Sequence, residues 1–440
     1  MMINFLFFFM LLTTCMVIYW QIEKDSLAIF SASPFFIFTI YWFICFPLRA
    51  FIYNNYDVQL QAHRILQKDF LLSSLFLSFL FWFLIFLGYA HSKSKSKSKS
   101  KSLFVFSQKR SNSLIVLSIF GIAWFIFKMD IDWLNLSNYT FDNQFVLREG
   151  NGLFFLIPVL FIPILINHIS GLVVGRENNK FLLIYFFIFL FLSIFIMIIL
   201  QSRRVIYLFV YISCMYLYLR DKKYYILLMF LIFCSIFMSP IFNYIRYFPH
   251  FSHDYTIGNI IYQSLDFGNF FSIINNTFEG VDHVASFLEK ISLNQFFFGV
   301  DHGVSWSYNM ILAYVPRFIW YSKPIIYGTI EQQYFLYPEL FNNDYATITL
   351  PPSFVVDYLY GFGVIIASFL CYLTGFIFFK LYYLAINLRN SVFHVGIYIY
   401  LYIYMFNFVR SGTSVILGVL VLSVIFFIVN FNYKKFINNK

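Results

Sequence analysis

The chain has 440 residues, of which 61% are hydrophobic and only 11% are charged, and its net charge is +10. Soluble domains are about 45–50% apolar and about 25% charged, so this composition excludes an ordinary globular core and indicates helices in contact with lipid. Because the charges lie in short segments between apolar runs, the positive balance indicates membrane topology and argues against nucleic-acid binding.

The apolar runs predict an all-α, polytopic bundle of about eleven transmembrane helices, since a helix needs about 20 apolar residues to cross the hydrocarbon layer. The opening run is long for a signal-peptide core and has no cleavage pattern, so we expect it to be retained as the first span. We expect the spans near residues 4–20, 28–48, 70–90, 113–128, 153–170, 181–200, 205–219, 225–245, 358–382, 392–408 and 414–432.

Two polar segments interrupt this pattern. Residues 92–102 alternate between Ser and Lys, which predicts a loop that lies near anionic lipid headgroups. Residues 246–353 form the longest polar stretch, and half-apolar pieces within it would lie along the membrane surface or pack on the bundle. The predicted organisation is therefore spans 1–8 in residues 1–245, one large extracytoplasmic loop with short amphipathic helices in 246–353, and spans 9–11 in 354–440.

The distribution of lysine and arginine predicts the orientation. With the Ser/Lys tract in the cytoplasm, more than half of the 30 Lys and Arg residues fall on the cytoplasmic side, although the outer segments are longer. The long loop and the N-terminus then lie outside, and the C-terminus lies in the cytoplasm. Arg49, Arg64 and Lys68 fall on the outer side, against the general trend.

Basic side chains at the outer ends of the spans are the first candidates for chemistry. A guanidinium group binds phosphate through two hydrogen bonds, and a low dielectric strengthens the pairing, so such a cluster would suit a lipid-linked diphosphate. For any single residue the alternative is a snorkelling or ion-paired side chain. The candidates are Arg203, Arg204, Arg246, Arg317, Lys323 and Arg410.

Asp357 and His302 are the candidates for a general base. Asp357 opens the predicted ninth span close to the outer interface, where it would either accept a proton or form an ion pair. His302 lies in the sequence Asp301-His302-Gly303 of the long loop. The loop histidines have no metal-ligand spacing, and all five cysteines fall in apolar runs, so we expect no metal site. Further acidic candidates are Asp301, Glu331 and Asp344.

Four short stretches give the chain a resemblance to a known family, the Wzy-type O-antigen and capsular oligosaccharide repeat-unit polymerases. The stretch 315–324 is similar to the family's Pro-Arg-x-x-Trp-x-x-Lys-Pro sequence. Residues 351–363 are similar to its Pro-Ser, Glu-x-Tyr and Asn-Phe-Gly run, with Asp357 in place of the expected Glu. The resemblance is carried by Gln201-Ser202-Arg203-Arg204, Pro316-Arg317 through Lys323-Pro324, Pro351-Pro352-Ser353 through Gly361-Phe362-Gly363, and Arg410-Ser411-Gly412.

The resemblance implies a reaction at the outer face of a bacterial inner membrane. A glycan on undecaprenyl diphosphate is transferred to a new lipid-linked repeat unit, without a nucleotide sugar, a cofactor or a metal. Arg203, Arg204 and Arg317 would bind the donor diphosphate, and Asp357, or else His302, would deprotonate the acceptor. Arg246, Lys323 and Arg410 would be secondary electrostatic contacts. The implied partners are the lipid-linked oligosaccharide, membrane lipid and, as a candidate, a chain-length regulator protein.

Two other functions remain open from the sequence. An O-antigen ligase or another polyprenyl-dependent membrane glycosyltransferase would share the substrate chemistry. A lipid-linked oligosaccharide flippase would share the apolar helices, but flippases tend to have two similar halves, and no internal repeat is visible in this chain.

Overall fold

The structure is a computed structural model, and it describes the chain in segments. These are residues 2–55, 68–94, 116, 120, 123, 166–167, 169–174, 212, 214–219, 221–233, 280–310, 320, 329–342, 345–346, 352–387, 391–412, 423–424 and 427–428. The chain divides into two compact units. The first consists of Met1–Lys97, Asp266–Tyr383 and Tyr404–Leu420, and the second of Ser98–Leu265, Leu384–Ile403 and Val421–Lys440.

Four of the described helices are long and apolar enough to cross a membrane, namely Met2–Asp25, Pro34–Asn55, Phe70–Ser94 and Phe354–Leu384. A shorter apolar helix covers Val392–Met405. All five overlap predicted spans, so the described helices are consistent with the predicted α-helical membrane protein. The other six predicted spans lie largely outside the described residues and stay predictions, although residues 169–174, 214–219 and 225–233 within or beside them are helical.

The first unit begins with a long helix and a second span that starts later than predicted. Ser33 caps this span through its side chain, which accepts a hydrogen bond from the Phe36 amide at 3.1 Å, and Pro34 follows at the first helical position. The span therefore begins at Pro34 and not near residue 28. The elements are α1 (Met2–Asp25), α2 (Leu27–Ser31), α3 (Pro34–Phe43), a π-helical turn (Ile44–Leu48) and α4 (Arg49–Asn55).

A buried ion pair joins this span to the segment that was predicted as the outer loop. Helix α5 (Lys68–Ser94) packs against α6 (Val281–Lys290). Asp282, in the first turn of α6, accepts two hydrogen bonds from Arg49, and the bond from Nε to Oδ1 is 2.8 Å long. Arg49 is 1% exposed and Asp282 is 2% exposed. Arg49 lies on the predicted outer side, against the general bias of lysine and arginine toward the cytoplasm. The structure gives a local reason, since Asp282 neutralises the charge of Arg49.

Short helices from the predicted loop pack on one another beside α6. Helix α8 (Val304–Met310) contacts α9 (Thr329–Leu336), and α6 also contacts α9. Lys290 at the end of α6 donates to the Leu336 carbonyl oxygen at 2.6 Å and to the Phe335 carbonyl oxygen at 3.3 Å, so it caps the end of α9. The elements are α7 (Leu293–Phe298), α8 (Val304–Met310), α9 (Thr329–Leu336), a 3-10 turn (Pro338–Leu340) and the antiparallel strands β1 (Phe341–Asn342) and β2 (Tyr345–Ala346).

Helix α10 (Phe354–Asn387) is broken at Gly363, whose φ of 65° and ψ of 175° are not helical. Residues 16 positions apart in a continuous helix are separated by about 24 Å. The Tyr358 hydroxyl nevertheless lies 3.0 Å from the Thr374 hydroxyl. The part before Gly363 therefore folds back along the part after it, so α10 is a helical hairpin and not the single span predicted over 358–382.

The segment around α7 covers the turn of this hairpin. The Tyr360 carbonyl accepts hydrogen bonds from the Val300 amide at 2.7 Å and from the Asp301 amide at 3.3 Å. A Cβ on Gly363 would lie 2.3 Å from the Phe297 carbonyl oxygen, so the backbones touch. The Tyr360 carbonyl, which the turn removes from the helical hydrogen-bond pattern, is thus satisfied by the segment that follows α7.

The part of α10 after the break crosses α5 at two glycines. A Cβ on Gly375 would lie 1.8 Å from the Ile85 carbonyl oxygen, and one on Gly88 would lie 1.9 Å from the Tyr372 carbonyl oxygen. Close backbone approach at small residues is the usual way in which membrane helices pack, because lipid gives no hydrophobic drive for their association. These glycines therefore fix α10 against α5.

Helix α11 (Val392–Ser411) follows, and its residues 404–411 belong to the first unit. The Phe408 ring stacks on the Phe354 ring with centroids 5.5 Å apart, and Phe378 approaches the same ring edge-on at 5.5 Å. Phe408 thus packs against both arms of the α10 hairpin. This packing brings the end of α11 to the segment that carries Asp357.

Candidate functional site

Asp357 lies on the short first arm of α10, and that arm is enclosed by protein. Every residue from Pro352 to Gly361 is buried, and Asp357 itself is 0% exposed. The sequence predicted this residue at the outer opening of a span, but the break at Gly363 turns the arm back into the bundle. A carboxylate in such surroundings needs polar partners, because burial of an unsatisfied charge is strongly unfavourable.

One partner of Asp357 is a buried glutamine from α9. The Gln332 Nε2 donates to Asp357 Oδ1 at 2.8 Å and to the Ser305 hydroxyl oxygen at 3.1 Å. All three side chains are fully buried. Gln332 therefore ties α8, α9 and α10 together, and its amide fixes one oxygen of the carboxylate.

The second oxygen of Asp357 faces the end of α11. Gly412 follows that helix with φ of 59°, in the left-handed region that glycine adopts without strain. A Cβ at this position would lie 2.3 Å from Asp357 Oδ2. The structure therefore brings together Asp357 and the Arg410-Ser411-Gly412 stretch, from two of the four segments that carry the family resemblance.

Four buried polar atoms around this carboxylate segment make no hydrogen bond within the part of the chain that the structure describes. Buried polar groups are normally hydrogen-bonded, so these atoms mark places where the described part of the site lacks a polar partner. Arg410 is partly exposed, and its buried Nε is one of them, while its role in electrostatic binding stays a prediction. They are Arg410 Nε, Gln332 Oε1, Ser353 Oγ and Trp306 Nε1.

Asp301 has a structural role beside the site. Its Oδ1 accepts from the Gly303 amide at 3.1 Å, and its Oδ2 accepts from the Ser305 amide at 2.6 Å. These bonds hold the start of α8 in the way that a helix-capping carboxylate does. Both oxygens are engaged, so the geometry disfavours Asp301 as the general base.

Glu331 differs from Asp301 because its environment favours the neutral carboxyl group. Burial raises the pKa of Glu331, and the nearby charge of Asp301 raises it further, whereas a hydrogen bond with the Tyr360 hydroxyl lowers it. Glu331 precedes Gln332 on α9, so a carboxyl group with a raised pKa lies one residue from the glutamine that holds Asp357. A raised pKa is what proton transfer near neutral pH requires.

His302 differs from Asp357 in its exposure to solvent. It lies in the turn before α8 with φ of 53°, a left-handed conformation that is uncommon for residues other than glycine, and it is exposed. Asp357 is buried in the bundle. The two predicted bases therefore occupy different environments, since His302 is exposed and Asp357 is enclosed by the bundle.

The remaining predicted site residues lie outside the described residues, so their positions stay predictions. The described site also contains groups that the sequence reasoning did not assign, namely Gln332, Ser305 and Ser353. No sequence signal distinguishes Gln332, because its role depends on contacts with Ser305 and Asp357 in other segments. The residues outside the described part are Arg203, Arg204, Arg246, Arg317, Lys323 and Asp344.

Comparison with protein-family models, with curated proteins and with solved structures finds no match to this chain. Any functional conclusion therefore depends on the chemistry of the site and on the short stretches already described.

Proposed function

We propose that the chain polymerises lipid-linked oligosaccharide repeat units, as a membrane glycosyltransferase of the O-antigen or capsule polymerase type. The observation that carries the proposal is the contact between Asp357 and Gly412, since Asp357 is a candidate base and Gly412 ends the Arg410-Ser411-Gly412 stretch. A buried carboxylate in contact with the Arg410-Ser411-Gly412 stretch suits a reaction between a hydroxyl group and a diphosphate ester.

In the proposed reaction the acceptor sugar hydroxyl attacks the anomeric carbon of the donor glycan. The new glycosidic bond forms as the bond from that carbon to the diphosphate oxygen breaks, and the hydroxyl proton passes to Asp357. Gln332 holds Oδ1 of the carboxylate and so fixes the orientation of Asp357. Arg203, Arg204 and Arg317 would stabilise the departing lipid diphosphate, and the enclosed position of Asp357 would limit transfer to water.

The proposal includes a location. The chain would lie in a bacterial inner membrane, with the Asp357 end facing outward, the N-terminus outside and the C-terminus in the cytoplasm. The charge distribution supports this orientation, because the Ser/Lys tract follows the opposite end of α5. The donor and the acceptor would be undecaprenyl-diphosphate-linked oligosaccharides.

The proposal is tested by complementing a deletion strain with Asp357→Asn, which keeps the shape of the side chain and removes its charge. We expect the O-antigen or capsule ladder to collapse to single repeat units, at a membrane protein level equal to wild type. Glu339→Gln, on an exposed carboxylate in the Pro338–Leu340 turn, is the matched control and should restore the full ladder. A full ladder from Asp357→Asn would overturn the role of Asp357.

The broken helix α10 also favours a second candidate, a lipid-linked oligosaccharide flippase, because discontinuous helices often form the substrate sites of transporters. Deletion separates the possibilities. Loss of a polymerase leaves single repeats on the lipid A core, loss of a ligase leaves none, and loss of a flippase leaves lipid-linked units on the cytoplasmic side. Only the first outcome agrees with the proposed function.

A further inference from the structure

We propose that helix α7 (Leu293–Phe298) is an interfacial helix, inserted among the lipid acyl chains at the membrane boundary beside the turn of α10. The occupant of its exposed face is the bilayer itself. This inference does not depend on the reaction proposed above, because it uses only the apolar surface of α7 and the geometry of the adjoining span.

The length of α10 after its break sets the depth of α7. From Val364 to Leu384, the end of the apolar stretch, a helix extends about 31 Å, which matches the roughly 30 Å hydrocarbon layer. Gly363 therefore lies at the hydrocarbon boundary. The last turn of α7 contacts that glycine, since a Cβ there would lie 2.3 Å from the Phe297 carbonyl oxygen and 2.5 Å from the Phe298 amide nitrogen.

The side chains of α7 present an apolar surface that no described residue covers. Leu293 is 79% exposed and Phe298 is 57% exposed, and none of the residues of α7 is buried. Val304, at the start of α8, is 52% exposed. Apolar side chains that are clustered and exposed in this way mark a contact with a membrane or a protein.

Charge is absent from the surface of this segment. The sequence between Lys290 and Asp301 contains no charged residue. Lys290 donates to the carbonyl oxygens at the end of α9, and Asp301 accepts from amides at the start of α8, so both flanking charges are engaged away from α7. A headgroup-to-acyl boundary accepts such an uncharged, aromatic-rich helix.

The exposed face of α10 continues this apolar surface. Large exposed side chains follow Gly363 at helical spacing, namely Ile365, Ile366, Phe369, Leu373 and Ile377. These residues form the lipid-facing side of a candidate span. Because α7 contacts the glycine where that side begins, its phenylalanines extend one continuous lipid-facing surface to the boundary. A capping box formed by Ser292 and Gln295 preforms the helix, so insertion requires no folding step.

Site-directed spin labelling in phosphatidylcholine vesicles tests the inference on the full chain. Cys15, which is exposed, and Cys234, which lies outside the described residues, are first replaced by Ser, and labels are then placed at Leu293→Cys and, separately, at Phe298→Cys. Collision with oxygen, which concentrates in lipid, is compared with collision with a water-soluble nickel chelate. Phe369→Cys is the lipid-facing reference, and Glu339→Cys is the water-facing reference.

We expect labels at 293 and 298 to collide with oxygen several-fold more than with the nickel chelate, as at 369. Preference for the chelate, as at 339, would overturn the inference. Low collision with both reagents would also overturn it, because a protein surface, such as a second copy of this chain, would then cover the helix. The use of two sites keeps the test valid if one labelled variant does not fold, which gel filtration in detergent establishes.

Discussion

Arg49→Ala should destabilise the protein strongly, since it leaves Asp282 as an unpaired buried charge. The two side chains are 1% and 2% exposed and share two hydrogen bonds. Removal of one partner of such a pair costs roughly 3–5 kcal/mol, whereas replacement of both by apolar residues of similar volume is often neutral or stabilising. We therefore expect Arg49→Ala and Asp282→Ala each to lower the free energy of unfolding by about 3–5 kcal/mol.

The double variant Arg49→Ala/Asp282→Ala leaves no unpaired buried charge, so it should lose much less stability than the two single variants together. If the ion pair acts as a unit, the double variant falls short of the sum of the single effects by at least about 3 kcal/mol. The measurement is unfolding of purified protein in mixed micelles by titration with a denaturing detergent. Lys223→Ala, which removes an exposed ion pair with Asp221, is the control and should leave the midpoint unchanged. Single effects that add in the double variant would refute the reasoning.

Three further predictions concern the glycines and Glu331. Gly412→Ala should abolish ladder formation at normal expression, because its Cβ would meet Asp357 Oδ2 at 2.3 Å; an unchanged ladder would contradict the contact. Gly375→Ala should destabilise the protein by about 1–3 kcal/mol or more, measured in mixed micelles, whereas Gly361→Ala, whose nearest atom would be at 3.7 Å, should be tolerated. The pKa of Glu331 is raised in the folded state, so this carboxyl group destabilises the fold progressively as pH rises above its ordinary pKa of 4.5. Glu331→Gln should therefore reduce the loss of stability at higher pH. Equal pH profiles of stability for the variant and the wild type would contradict this prediction.

The sequence predicts the apolar spans well because composition is averaged over many residues. The described apolar helices that begin at Met2, Phe70 and Val392 lie where the apolar runs predict them, whereas the predicted ninth span matches only the part of α10 after Gly363. Local chemistry moves the boundaries: Ser33-Pro34 is a cap followed by proline, and it starts the second span six residues after the predicted position. A run of apolar residues cannot indicate where such a cap will act.

The candidate site was predictable only in part. Asp357 and Arg410 stood out because charged residues in or beside apolar runs are rare. Gln332 did not stand out, since its role depends on packing between α9 and α10, which are distant in sequence. Arg49 was recognisable as an exception to the charge bias, but Asp282, its partner, is 233 positions away and could not be paired with it from sequence alone.

The break at Gly363 explains how an acidic side chain can lie inside an apolar bundle. A continuous helix from Phe354 to Leu384 would be about 46 Å long, well beyond the roughly 30 Å hydrocarbon layer. Folding the first arm back shortens the span and encloses Asp357 in protein, where Gln332 can satisfy it. Irregular backbone at membrane depth is tolerated only where protein or a polar cavity surrounds it, and here the amides of Val300 and Asp301 satisfy the freed Tyr360 carbonyl. The burial of Asp357 therefore depends on the glycine turn. Without the left-handed turn at Gly363, Asp357 would lie on a straight helix that is too long for the membrane, away from the partners that let it remain buried.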